Sequence, residues 1–172
     1  MEKIYLIADT HFGEKAILQY ENRPFSSVEE MDEEMIRRWN EVVGEEDLVY
    51  HLGDFSERGR EKSYLERLKG RVILIRGNHD VLTNREYREM GFEEVYDMPV
   101  IKDEFWILSH KPIYVNQNMP YANLFGHVHA SPIYRTFSSH HYCVSAERVQ
   151  YCPVDFERVK SMVQKQASEE AD

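Results

Sequence analysis

The sequence predicts an α/β fold, and three observations carry that prediction. Short apolar runs at residues 3–8, 47–52 and from Arg71 onward each end in a polar, glycine-containing turn. Stretches with apolar residues at helical spacing separate these runs, and the second half of the chain holds further strand-sized apolar segments. Strands alternating with helices imply a parallel sheet, and ligands of such sheets bind just beyond the carboxyl ends of the strands.

Taken in order, "KIYLIA" at 3–8 reads as a buried strand and leaves Asp9 at its carboxyl end. After a loop through "ENRPF", Ser26 and Ser27 each stand three residues before a glutamate, Glu29 and Glu30, which is the spacing of a capping box. The helix that follows is expected to reach about Val43, with Val28, Met31, Met35, Ile36, Trp39 and Val42 as its apolar stripe. Residues 47–52 form a second strand that runs into Gly53 and Asp54. "REKSYLERLKG" is a short helix stopped by Gly70, and "RVILIRGNHD" is a third strand that enters a polar turn. Further strands are expected at roughly 92–97, 104–109, 122–126 and 140–145, with Pro99, Pro112, Pro120 and Pro132 punctuating the loops. A last helix at 153–166 takes Pro153 in its first turn, and 167–172 is expected to be a flexible acidic tail. Without a repeat or a low-complexity linker, residues 1–166 are expected to form a single domain.

Composition narrows the function classes. The net charge of −10, from 31 acidic against 21 basic residues, disfavours a long footprint on duplex DNA. It leaves room for a local positive site, which bound divalent cations would supply. Two cysteines, Cys143 and Cys152, are too few for a disulfide scaffold and lack CxxC spacing, so both are expected to be reduced thiols in a cytoplasmic protein. The N-terminal apolar run, Ile4 to Ala8, is too short for a signal peptide or a membrane span.

The residues at the strand ends and turns are Asp9, His11, Asp54, Asn78, His79, Asp80, His110, His127 and His129. Each can bind a metal or move a proton. Asp9 and His11 are expected to share a face at the first strand's end, and so are His127 and His129, about 6–7 Å apart along an extended backbone, with Val128 turned into apolar packing. Gly53, lacking a side chain, is expected to let an ion approach the backbone beside Asp54. Mixed oxygen and nitrogen donors suit Mn²⁺, Fe, Zn²⁺, Co²⁺ or Ni²⁺, and the absence of cysteine argues against a closed structural zinc site. Seven candidate ligands exceed what one tetrahedral ion needs and suit two ions that share a carboxylate.

The ordered blocks Asp9-Thr10-His11, Gly53-Asp54, Gly77-Asn78-His79-Asp80, His110 and Gly126-His127-Val128-His129 resemble the calcineurin-like metallophosphoesterases, in small single-domain bacterial or phage form. The resemblance implies an αββα sandwich of two mixed sheets flanked by helices, with the metal site at one end. It implies a first metal on Asp9, His11 and His129, a second on Asn78, His110 and His127, and Asp54 bridging both. It makes His79 the general acid for the leaving oxygen and Asp80 the residue that orients His79 by a hydrogen bond. Two such ions, about 3.5–4 Å apart, would clamp a phosphate and supply a bridging hydroxide near neutral pH.

"GDFSERG" also resembles the GDxVDRG block of phosphoprotein phosphatases, which makes Arg58 a candidate for gripping phosphate, against the alternative of a surface arginine. Arg23 and Lys111 are further candidates for reaching substrate, and Tyr114, Asn116, Asn118 and Tyr121 for a substrate rim. His51, His140 and His141 match no ligand position and are expected to have no such role. Small bacterial and phage members often open with DTHFGH and then an asparagine; Glu14 and Ala16 stand at those two polar positions here.

The function expected is hydrolysis of small or accessible phosphodiesters, of the nucleotide or RNA-end type, with Mn²⁺ as the first choice of metal. A phosphomonoesterase using the same site is the alternative, and a metal-free interaction scaffold is a second, from another class. Oligomeric state stays open at this stage.

Overall fold

The computed structural model describes residues 2–116, 118–134 and 138–171. The chain runs β1 (Ile4–Ile7), α1 (Lys15–Tyr20), α2 (Val28–Val42), β2 (Leu48–His51), α3 (Glu61–Leu65), β3 (Arg71–Ile75), α4 (Asn84–Met90), β4 (Glu94–Tyr96), β5 (Val100–Lys102), β6 (Trp106–Ser109) and β7 (Ala122–Phe125). A 3₁₀ turn at Pro132–Tyr134, β8 (His141–Cys143), β9 (Val154–Asp155) and α5 (Phe156–Ala171) complete it.

Two mixed sheets face each other, the α/β sandwich expected. One has the order β4-β3-β2-β1-β9, with β1 to β4 parallel and β9 antiparallel. The other has the order β5-β6-β7-β8, with β6 to β8 parallel and β5 antiparallel. Strand alternation divides the side chains between two cores. Tyr5, Ile7, Val49, Val72 and Leu74 point to the helical side, where they meet Met31, Met35, Ile36 and Trp39 of α2 and Tyr87 of α4. Leu6, Ala8, Leu52 and Ile75 point the other way, onto Trp106, Leu108, Leu124 and Val144 of the second sheet. α5 adds Phe156, Val159 and Val163 to that inter-sheet core.

Where the sequence offered two caps for α2, the structure uses Ser27, whose side chain accepts from the Glu30 N–H, while Glu30 reaches back to the Ser26 N–H. α1, α4 and β5 were not anticipated. α4 carries a complete capping box between Thr83 and Glu86 and a left-handed stop at Gly91, φ 116°. The last helix begins three residues later than expected, because Val154 and Asp155 pair with β1 and the Asp155 carboxylate then accepts the Arg158 N–H. It also continues through the residues read as a tail, up to Ala171; Asp172 lies outside the described residues.

At the carboxyl ends of β1 and β8 the two sheets touch. The Ala8 N–H donates to the Val144 carbonyl, and the Ala146 N–H donates to Ala8. A Cβ added at Gly126 would lie 2.4 Å from the Ala8 Cβ, so only glycine permits this approach. Everything that follows is built around that junction.

Candidate metal centre and active site

All seven expected ligands arrive at the junction, four from the five-stranded sheet and three from the four-stranded one. Asp9, His11 and His129 place one donor atom each within 4.8 Å of one another, and Asp54, His110 and His127 do the same. The Asp54 Oδ2 stands between the groups, 3.6 Å from His11 Nε2 and 3.4 Å from His110 Nε2. Asn78 Oδ1 is 3.0 Å from His110 Nε2, which puts it in the second group.

The local backbone that presents these donors is not extended, as the spacing had implied. Asp9, His11, Asp54, His127 and His129 all have left-handed φ values, between 47° and 69°. Non-glycine residues adopt this conformation at a cost and only where their surroundings fix it. His127 and His129 are thus split between the two groups by a turn that follows β7, and Val128 does turn inward, against Phe125 and Cys143. A Cβ at Gly53 would lie 2.5 Å from the Gly77 N and 2.6 Å from His110 Nδ1, so the glycine admits the Gly77 backbone and the His110 imidazole.

Hydrogen bonds fix which imidazole nitrogen faces inward. His11 Nδ1 pairs with Glu14 Oε2 at 3.0 Å, His129 Nδ1 with Glu147 Oε1 at 3.1 Å, and His110 Nδ1 with the Leu52 carbonyl at 2.8 Å. Each leaves Nε2 for the centre, an arrangement common among metal-ligating histidines. Asp9 accepts from the Ser145 hydroxyl at 2.6 Å and from the His127 N–H. The Ser145, Glu147 and Arg148 group was missed in the sequence. It follows β8 as the other donors follow their strands, and Arg148 ties down the carbonyls of His129 and Ser131.

The chemistry of the donor set fits cations. His11 Nε2 is buried without a hydrogen-bond partner, and His110 Nε2 faces His127 Nδ1 at 3.1 Å. Burial pushes the Asp9 carboxyl up to about 7, against the pull of His129 and Ser145. Burial likewise holds His110 and His127 below the ordinary imidazole range, and the charges of His110 and Lys111 add to the effect at His127. Carboxylate and imidazole donors converging from both sheets are what such divalent ions require, and an ion entering the first group must displace the proton that burial holds on Asp9.

Three expectations about neighbouring residues change. Asp80 does not orient His79. Its buried carboxylate accepts the N–H groups of Asp54, Phe55 and Gly77, so it braces the turn that carries Asp54. Arg23 is buried and donates to the carbonyls of Asp9 and Thr10 and to Glu147, which makes it a strut beneath the DTH turn and not a surface phosphate hook. Arg58 is exposed, its charge bears on Glu86, and among the described residues no hydrogen bond or ion pair ties it to the cluster. Lys111 lines a cavity of about 320 Å³ that reaches Asn78 and His110 between Met98, Pro99 and Ile113. His79 is half exposed at the rim, with its backbone N–H donating to Asp54 Oδ1. His51, His140 and His141 lie outside the cluster, bonded to Thr10, to the Tyr121 carbonyl, and to Ser138 and the Ile113 carbonyl respectively. Tyr114 is exposed, and Asn116 and Asn118 bond each other in the same loop.

The sequence model of the calcineurin-like phosphoesterases matches residues 2–156. An uncharacterized protein of Methanocaldococcus jannaschii is 34% identical over 177 residues, covering 96% of this chain and 93% of its own. The gene 66 protein of Mycobacterium phage L5 is 36% identical over 86 residues, 46% of this chain and 41% of that one. Among solved structures, a protein of unknown function from Aquifex aeolicus shares the fold with a TM-score of 0.72 at 24% identity, over 94% of this chain and all of that one. The Pseudomonas putida nuclease MPE aligns with a TM-score of 0.51 at 25% identity, over 73% of this chain and 61% of the nuclease. No helix among the described residues is long and apolar enough to cross a membrane. With the family's sequence model spanning nearly its whole length, the chain belongs to the calcineurin-like phosphoesterases and is a metal-dependent hydrolase of phosphate esters.

Proposed function

We propose that this hydrolase acts on small or accessible phosphodiesters, of the nucleotide or RNA-end type, at a two-ion centre. The observation that carries the reading is Asp54, whose Oδ2 stands within 3.6 Å of an imidazole nitrogen from each donor group. One ion would be held by Asp9, His11 and His129, the other by Asn78, His110 and His127, with Asp54 shared. When bound, the ions supply charge stabilisation for the phosphoryl oxygens and water of lowered pKa, and Mn²⁺ is our first choice for both.

The chain's own residues do the rest. Asp80 and Arg23 hold the two turns that present Asp54 and Asp9. His79, half exposed at the rim, is placed to give a proton to the departing alkoxide. Lys111 and Arg76 both line the adjoining cavity; Arg76 is tied to the Asp80 carbonyl and Asn84, and Lys111 would meet a substrate's second phosphate substituent there. The similarity to a nuclease supports a nucleotide-type ester, and the net charge of −10 weighs against long duplex DNA. A cytoplasmic setting is supported by Cys143 and Cys152, both free thiols.

A screen of the Mn²⁺-loaded protein against an aryl monoester, an aryl diester and cyclic nucleotides tests this. Diester hydrolysis at least tenfold faster than monoester hydrolysis is expected. The reverse order would transfer the site to the phosphomonoesterase reading, and inactivity on every ester would revive the interaction scaffold.

A further inference from the structure

His79 has lost the aspartate expected to orient it, and a different carboxylate lies beside it. Glu14 follows β1 at the end of the DTHFG turn, where its N–H donates to the His11 carbonyl. Its side chain caps no helix, although it occupies the residue before α1. One carboxylate oxygen, Oε2, is 3.0 Å from His11 Nδ1; the other, Oε1, is 3.6 Å from His79 Nδ1. The two imidazoles stand edge to face with ring centres 4.9 Å apart, so the same carboxylate faces both.

We propose that Glu14 is a positioning residue that joins the metal shell to the general acid, hydrogen-bonded to His11 through one oxygen and at ion-pair distance from His79 through the other. This rests on the reading of His79 as the acid. With Nδ1–H of His79 directed at Glu14, the proton on Nε2 faces the reaction. As the bond from phosphorus to the leaving oxygen breaks, the electron pair stays on that oxygen and takes the Nε2 proton. His79 is left neutral, its Nδ1–H still facing Glu14. The same carboxylate keeps His11 Nε2 turned toward the ion, so a change at the metal shell and the placement of the acid share one support.

A carboxylate that only stabilised the fold would not discriminate between leaving groups, and this one must. A p-nitrophenolate departs without help, whereas a nucleoside or alkyl alkoxide needs the proton. Glu14→Gln is therefore expected to lower kcat on bis-p-nitrophenyl phosphate through its effect on His11, and to lower kcat on a methyl or nucleoside diester by about tenfold or more beyond that loss. Adding Glu14→Gln to His79→Ala should cost no more on the poor leaving group than Glu14→Gln alone costs on bis-p-nitrophenyl phosphate.

A second readout needs no metal. Long-range ¹H–¹⁵N correlations of the metal-free protein at pH 8 should show His79 with its proton on Nδ1, moving to Nε2 in Glu14→Gln. If His79→Ala shows the leaving-group pattern and Glu14→Gln does not, or if the tautomer is unchanged, the positioning role is overturned and the acid assignment stands. If His79→Ala shows no such pattern, the acid assignment itself falls. A third equivalent of Mn²⁺ lost in Glu14→Gln by calorimetry would also overturn the proposal, because the carboxylate would then be holding an ion.

Discussion

His51 sits directly behind the centre without belonging to it. Thr10 Oγ1 donates to the Phe55 carbonyl at 2.6 Å, so the imidazole Nε2, at 2.9 Å, must be the donor to that hydroxyl. Its Nδ1 is buried with no partner. A second proton would create an unpaired buried charge, and burial, with the nearby His11 and His110, pushes this histidine down to about 3. Between about 3 and 6.5 the unfolded chain therefore binds a proton that the folded chain refuses. Stability from this group is complete above 6.5 and is lost as pH falls toward 3, by about 1.4 kcal/mol per pH unit. Asp9 titrates with the opposite sign in the same range, so the wild type alone does not isolate the effect. The difference in urea stability between wild type and His51→Gln does, and it should grow in the variant's favour by that slope as the metal-free protein is acidified. A difference that stays flat from pH 7 to 5 would mean that His51 accepts its proton in the fold.

The turn between β7 and the histidine pair is a tight joint between the two sheets. An alanine at Gly126 would set its Cβ 2.4 Å from the Ala8 Cβ, which the backbone fixes, and 2.7 Å from Asp9 Oδ2, which the Ser145 hydroxyl and the His127 N–H hold. Gly126→Ala should therefore cost about 1–3 kcal/mol by overpacking, and it should weaken Mn²⁺ binding by displacing Asp9; urea titration and calorimetry read the two effects separately. Wild-type values for both would show that the sheets can part without loss. Elements of this kind also mark what was legible in the sequence. β1, α2, β2 and β3 could be read from it because their apolar faces are wide and regular, and so could the residues that gather at the junction, because they stand in the turns that directly follow buried strands. α4 was missed although Thr83 and Glu86 carry the capping signal, since its only buried side chain is Tyr87 and it shows no stripe. β9 was read as helix because its two residues are specified by pairing with β1, not by local propensity. Support for the ligands was the least legible part. Asp80 and Arg23 point at backbone groups distant in sequence, and Glu14 reaches His79 only because three turns fold onto one point.

Across the whole molecule, the donors are divided between the sheets: Asp9, His11, Asp54 and Asn78 follow strands of one, His110, His127 and His129 strands of the other. An ion bound by either group therefore ties the sheets together at the end where Ala8 and Gly126 already touch. Ligands that bind only the folded state stabilise it by about 2.7 kcal/mol at a hundred times Kd. For a chain of this size that is a rise in Tm of about 5–10 °C. The rise should depend on pH with a definite sign. In the metal-free fold Asp9 holds a proton up to about 7, well above its ordinary carboxyl value, so the folded state binds more protons than the unfolded one and loses stability as pH climbs to 7. An ion must displace that proton, so its apparent affinity should fall up to tenfold for each pH unit below 7, and the Tm gain at fixed Mn²⁺ should shrink in step. Thermal scans in EDTA and in Mn²⁺ at pH 5.5, 6.5 and 7.5 measure both trends. Asp9→Asn, which has no proton to displace, should flatten the pH dependence while lowering affinity throughout. A Tm gain of equal size at all three pH values in the wild type would place the ion away from Asp9 and detach the two-sheet clamp from this centre.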